Sequence, residues 1–138
     1  MNKNSKQKIR FLTLSEVLII YEDQIRRYGG IYRVRDISLL SSAIYVPQST
    51  FDGKYLHQSI PAMAAAYLFH ICSNHPLVDG NKRVAIASAL VFLKINNYSL
   101  HCTEDELYET VLSVAKSELK KEESIAFFKK HIKRAKRY

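Results

Sequence analysis

Two apolar segments of helical length, Ala62–Cys72 and Val84–Ile95, are separated by the polar run His75-Pro76-Leu77-Val78-Asp79-Gly80-Asn81-Lys82-Arg83. This pairing constrains the chain more than any other feature. The first segment is apolar nearly all round apart from His70, and a helix of that kind is buried at the centre of a fold. Ser59 caps it and Pro61 sits in its first turn, where proline is tolerated. Pro76 stops it, because the residue before a proline is pushed out of the helical region. The second segment starts near Asn81 and ends at Asn96-Asn97. A central helical hairpin is therefore predicted, with a charged loop at its bend.

The flanking segments also read as helices. Thr13 and Glu16 form a capping box, followed by Leu14, Val17, Leu18, Tyr21, Ile25 and Tyr28 on one helical face and by Gly29-Gly30 as a C-cap pair. That places a helix over Leu14–Tyr28. After a connector, Ile31–Arg35, Asp36 caps a short helix containing Ile37, Leu39, Leu40, Ala43 and Ile44, which Pro47 ends. Between Pro47 and Gln58 the chain is polar and non-periodic, with a turn signal at Asp52-Gly53, and reads as a small hairpin or a loop. Its Ser49, Thr50, Phe51, Asp52, Gly53, Lys54 and Tyr55 are the candidate flap over a neighbouring site. His57 there reads as an ordinary loop residue, and His70 as a satisfied core histidine.

Thr103 and Glu106 form a second capping box for a helix reaching about Lys116. A last helix from about Lys121 has Ile125, Phe128 and Ile132 as its inner stripe and a basic outer face. With four glycines and three prolines in 138 residues, helices with short connections are favoured over a many-stranded sheet. The expected architecture is all-α: one domain of about six helices over residues 11–138, after a basic extension, residues 1–10.

Composition narrows the setting. Cys72 and Cys102 have no metal-ligand spacing and make no disulfide framework, which points to a reducing cytoplasm. The start, Met1 to Lys8, leads into no signal-type apolar region, and the run Val84–Leu93 is about half of a membrane span, so no membrane partner is expected. The net charge of +8 sits largely at the ends, in Lys3, Lys6, Lys8 and Arg10, and in Lys129, Lys130, Lys133, Arg134, Lys136 and Arg137. Solvated ends are the leading explanation, an acidic protein partner the second and nucleic acid the third, since no nucleic-acid-binding module is recognisable.

The loop carries the chemistry. Lys82 and Arg83 fall in the first turn of a helix, where the macrodipole is already positive and acidic residues would be stabilising. An unmet positive cluster at a helix N-terminus is suited to an anion, phosphate above all. Gly80 lets backbone N–H groups approach that anion, and the Asn81 amide can donate beside them. Arg83 offers a fork and Lys82 a point charge. Asp79 supplies hard oxygen for Mg2+, and His75 carries an imidazole, the side chain that most often serves as base for an incoming hydroxyl. Taken singly, each residue has an ordinary structural explanation. Together they are the parts that phosphoryl or nucleotidyl transfer requires.

His75 to Arg83 resembles the signature of the Fic/Doc (Fido) superfamily, His-Pro-Phe-x-Asp/Glu-Gly-Asn-Gly-Arg with a further Arg three positions on. Leu77 stands where that pattern has Phe, Lys82 where it has Gly, and Ile86 where it has the second Arg. The last two departures are those of the Doc branch, the "death on curing" toxins. The resemblance runs from Phe11-Leu12-Thr13 through Tyr28-Gly29-Gly30, Arg35-Asp36 and Leu40 to the end of the second apolar helix. It implies an all-α Fido fold and transfer of a phosphate-containing group from ATP to a protein hydroxyl. By resemblance His75 is the base, Asp79 the Mg2+ ligand, and Gly80, Asn81, Lys82 and Arg83 the phosphate cradle. The Pro47–Gln58 segment corresponds to the target-docking flap. Fic-type members transfer AMP, which is the alternative here. Doc-type members transfer the γ-phosphoryl group, their target being a threonine of elongation factor Tu. Lys82 favours the second, since a bulky cation takes up space that the α-phosphate would need. No glutamate here has Ser or Thr four residues before it, so the inhibitory Ser/Thr-x-x-x-Glu motif is missing, which implies control by a separate, Phd-like antitoxin.

Overall fold

A computed structural model describes residues 8–135. Lys3, Lys6, Lys136 and Arg137 lie outside the described residues. Six helices form in order: α1 (Leu14–Tyr28), α2 (Ile37–Tyr45), α3 (Ile60–Asn74), α4 (Asn81–Ile95), α5 (Glu104–Ala115) and α6 (Lys121–His131). Four short strands accompany them, β1 (Thr50–Phe51), β2 (Lys54–Tyr55), β3 (Tyr98–Leu100) and β4 (Ile132–Arg134). The all-α expectation holds.

Local chemistry explains the boundaries. Both predicted capping boxes form, with the Glu16 N–H donating to Thr13 Oγ1 (3.1 Å) and the Glu106 N–H to Thr103 Oγ1 (3.0 Å). Asp36 and Ser59 accept from Leu39 and Ala62 at the starts of α2 and α3. α3 is the centre of the molecule, packed by α2, α4, α5 and α6, and its residues from Ala62 to Leu68 are all buried. Tyr67, fully buried, accepts the Leu12 N–H at 2.9 Å, and its polar tip thereby fixes the chain entering α1. Asn96 similarly binds the Arg10 backbone in both directions, at 2.9 Å each way, and Ile9 packs on the core. Among the described residues, packing on the core thus reaches back at least to Ile9.

Two expectations, for Ile132 and His70, are corrected at the far end of the chain and beneath it, and His57 lies in a loop as expected but is not exposed. Ile132 is not on the last helix: α6 stops at His131, and Ile132 opens β4, which pairs antiparallel with β3 in the register Leu100↔Ile132. His57 is buried, 8% exposed, and its Nδ1 has no partner among the described residues. His70 is not satisfied either, for its Nε2 is buried without a partner among the described residues. Burial first, and the Lys121 ammonium second, push the His70 imidazole down to about 4 and lower that of His57.

These depressed values fix a pH dependence. An unfolded histidine gains its proton near pH 6.5, whereas the folded one resists until lower pH, so stability is complete above about 6.5 and falls as acid is added towards about 4. The urea midpoint should be lower at pH 5 than at pH 7.5, and His70→Gln should flatten that difference. An equal acid loss in the variant would remove His70 from this account.

Candidate active site

The charged loop bridges α3 and α4 at one end of the hairpin, and its backbone is held from outside by the connector 31–36. The N–H groups of Arg35 and Asp36 both donate to the Pro76 carbonyl (2.7 and 3.0 Å), and the Val78 N–H donates to the Arg33 carbonyl (2.9 Å). Val34 and Leu77 form a bridge between the two segments. Leu77, at the position of the resembled Phe, is buried and anchors the loop in the core.

His75 closes α3 in the left-handed region (φ 51, ψ 51), and it is exposed. A non-glycine residue there persists only when its surroundings over-determine it. Asp79 Oδ2 accepts the Ile31 N–H at 3.2 Å. Gly80 is the N-cap of α4 at φ +88, where the conformation rather than lack of space calls for glycine: an added Cβ would meet only ordinary contacts, at 3.6 Å and beyond.

Asn81 departs from the expected role. Its Oδ1 accepts the Leu77 N–H (2.9 Å) and its Nδ2 donates to the Leu77 carbonyl (2.8 Å), so the buried amide is committed to shaping the loop. Its backbone N–H, rather than its amide, is what it can offer to an anion. Lys82 is exposed and Arg83 half-buried. Consecutive helical side chains diverge, and these two flank the loop on different sides. The Lys82 charge is felt at Cys72 on α3, whereas Arg83 lies over the Tyr28 ring (5.6 Å) and donates to the Gly29 carbonyl (3.3 Å).

The start of α4 is electrostatically bare. It has no side-chain cap and no acidic residue in its first turn. Every other α-helix among the described residues has a side-chain cap or first-turn carboxylates. The first N–H groups of a helix have no partner inside it. Here they face the bend with two cations beside them, which is the arrangement an oxyanion fills.

Among the described residues no three or more His, Cys, Asp or Glu side chains gather into a metal cage. A single carboxylate fits Mg2+ that arrives with substrate phosphates and keeps several waters, so Asp79 is suited to that role.

The flap segment forms the hairpin, with Thr50↔Tyr55 and Phe51↔Lys54 paired and both turn residues, Asp52 (φ 54) and Gly53 (φ 76), left-handed as a tight hairpin turn requires. It is joined at its root by the Leu56 N–H to the Ser49 carbonyl (2.9 Å) and leans on Phe11 through Tyr55 (5.5 Å between rings). Its expected place over the loop is not what is seen. The hairpin leads into the start of α3, whereas His75 ends that helix, and fifteen helical residues span roughly 22 Å. No hydrogen bond among the described residues joins it to residues 75–83.

The Fic/DOC family model matches residues 11–93, more than half of the chain and all of this loop. The chain belongs to the Fic/DOC family. Within it the relatives are of the Doc branch. Toxin Doc of Mycolicibacterium smegmatis is 45% identical over 73 residues, covering 53% of this chain and 56% of that protein. Protein kinase doc of Escherichia phage P1 is 26% identical over 111 residues, covering 80% of this chain and 86% of that one. The match to the first therefore spans little more than half of its length. In this Fic/DOC chain the family match covers α1 to α4, and β3, α5, α6 and β4 lie beyond it.

The resemblance includes Gly29-Gly30 and Arg35-Asp36, but the sequence alone does not show that they belong to a splint along the loop. Arg35, Gly30, Ile31 and Tyr21 all touch it or hold what touches it, and only the second glycine of Gly29-Gly30, one more than a C-cap needs, hints at this. No helix among the described residues is long and apolar enough to cross a membrane.

Proposed function

We propose that this chain is a Doc-like toxin of a type II toxin–antitoxin module, a protein phosphotransferase that moves the γ-phosphoryl group of ATP to a hydroxyl of a target protein in the cytoplasm. A threonine of elongation factor Tu is the proposed acceptor, and arrest of translation the consequence. The bare, doubly cationic start of α4, beside an exposed histidine and a carboxylate on the same loop, carries this reading. The acceptor oxygen attacks the γ-phosphorus, the bond to the ADP oxygen breaks, and the hydroxyl proton passes to His75. Backbone N–H groups at Gly80, Asn81, Lys82 and Arg83, with the two cationic side chains, hold the phosphates. Bound Mg2+ would neutralise phosphate charge, with Asp79 as its protein ligand. Lys82, at the position of the family's glycine, favours phosphoryl over AMP transfer.

The hairpin, with Phe51 74% exposed and its backbone edge open, is proposed to dock the target by strand addition at a distance from the chemistry. A Phd-like antitoxin, acidic enough to suit the basic surface, is proposed as the regulator. Toxicity unaffected by any neighbouring gene product would remove that partner.

Intact-mass measurement of elongation factor Tu after incubation with the protein, ATP and Mg2+ tests the reaction. A phosphate-sized gain is expected, with label transferred from γ- and not α-labelled ATP. An AMP-sized gain would instead establish adenylyl transfer, and an unchanged mass would overturn this acceptor.

A further inference from the structure

We propose that the connector Gly30–Asp36 is the positioning element of the active site, with Arg35 fixing the His75 end and the Gly30–Ile31 backbone fixing the Asp79 end. This rests on the functional reading above and assigns residues that the loop motif does not contain.

At the first end, α3 finishes with carbonyls that have no partner within the helix. The Arg35 guanidinium takes two of them, through Nε to the His75 carbonyl (2.8 Å) and through a terminal nitrogen to the Asn74 carbonyl (3.2 Å). Arg35 is exposed and has no carboxylate partner among the described residues, so neither core packing nor an ion pair accounts for it. Its cation also opposes the negative end of α3. Grasping both carbonyls across the point where the chain leaves the helix holds His75 in the left-handed conformation that directs its imidazole outward. Lysine, a point charge without a fork, meets at most part of that demand.

At the second end, Gly29 already caps α1, its N–H donating to the Ile25 carbonyl at 2.7 Å. Gly30 serves something else. At φ +116 an added Cβ would lie 2.5 Å from Asp79 Oδ2, 3.3 Å from Asp79 Cγ and 3.1 Å from Ile25 Cδ1. The carboxylate rests on bare backbone and accepts the next N–H, that of Ile31. Any side chain at position 30 must push it away. The backbone itself is pinned from the core by fully buried Tyr21. Its hydroxyl accepts the Arg33 N–H (3.0 Å) and shares its proton between the carbonyls of Ile31 (2.8 Å) and Arg33 (3.1 Å). Base and metal ligand are therefore set by one strip of chain anchored on α1.

The two ends make separable predictions. Arg35→Ala should lower kcat for the acceptor protein about a hundredfold, as a misplacement of about 1 Å does, with KM for ATP unchanged. Arg35→Lys should restore only part of that loss, and Arg26→Ala, which removes a comparable exposed charge, should do nothing. Mn2+ binding in the presence of ATP, followed by electron paramagnetic resonance, should be unchanged in Arg35→Ala. In Gly30→Ala it should weaken about tenfold, as when a group orienting a metal ligand is lost.

A wild-type kcat in Arg35→Ala, or parallel losses of kcat, KM and Mn2+ affinity in both variants that track the thermal midpoint, would overturn the proposal and leave the phosphotransfer reading standing. A wild type that neither binds Mn2+ with ATP nor transfers phosphate would overturn both. Transfer absent but Mn2+ binding present would sink the phosphotransfer reading alone, and Gly30→Ala would still decide the Asp79 end.

Discussion

Alanine in place of His75 is expected to lower kcat for phosphoryl transfer about a thousandfold, within the range that a positioned general base contributes, while ATP binding hardly changes. The side chain is exposed, so its removal opens no cavity in the core. It takes away the proposed acceptor of the hydroxyl proton and leaves the helix start, the cations and Asp79 in place. The backbone complicates the variant, since His75 is left-handed (φ 51) and alanine tolerates that region poorly. His75→Asn is therefore the more telling partner experiment. Asparagine enters the left-handed region readily but offers no basic nitrogen, so a loss of similar size in both variants assigns the effect to the base. Wild-type turnover in His75→Asn would exclude proton transfer to this side chain.

How much of this was legible beforehand depended on whether the information was local. The bounds of α1 follow from Thr13, Glu16 and Gly29, all within or beside the helix, and α3 and α4 follow from Ser59, Pro76 and the apolar runs. Pairing across distance was not legible. Ile125, Phe128 and Ile132 have helical spacing, yet Ile132 is claimed by Leu100, whose strand lies more than a helix away in sequence. His57 and His70 look ordinary until packing buries their ring nitrogens and brings the Lys121 charge to bear on them. In the loop, residue types announced the chemistry but not the division of labour. An asparagine amide suits an anion and a local turn equally well, and only the two bonds to Leu77 decide that it shapes the loop. Arg35 was legible only as part of the family resemblance and not by its role, because its partners are backbone carbonyls, which every residue possesses.

The second large effect is expected at Asp79. Asp79→Asn keeps the shape of the side chain, and its amide oxygen can still accept the Ile31 N–H, so the connector and the Gly30 contact survive the change. What disappears is the negative charge. A metal ion that stabilises developing charge contributes several kcal/mol, and loss of its one protein carboxylate should cost about a hundredfold or more in kcat at moderate Mg2+, at 1.36 kcal/mol per factor of ten. Raising Mg2+ should recover part of the rate, because on the proposed reading the ion would be held mainly by substrate phosphates and waters, with Asp79 as the protein ligand. His75→Ala should show no such recovery, since no amount of metal replaces a proton acceptor. The pair thus separates the two functions packed into five residues of one loop. An Asp79→Asn rate insensitive to Mg2+ would mean that the carboxylate acts through the connector it touches rather than through an ion. Arg35→Ala and Gly30→Ala would then be expected to resemble it.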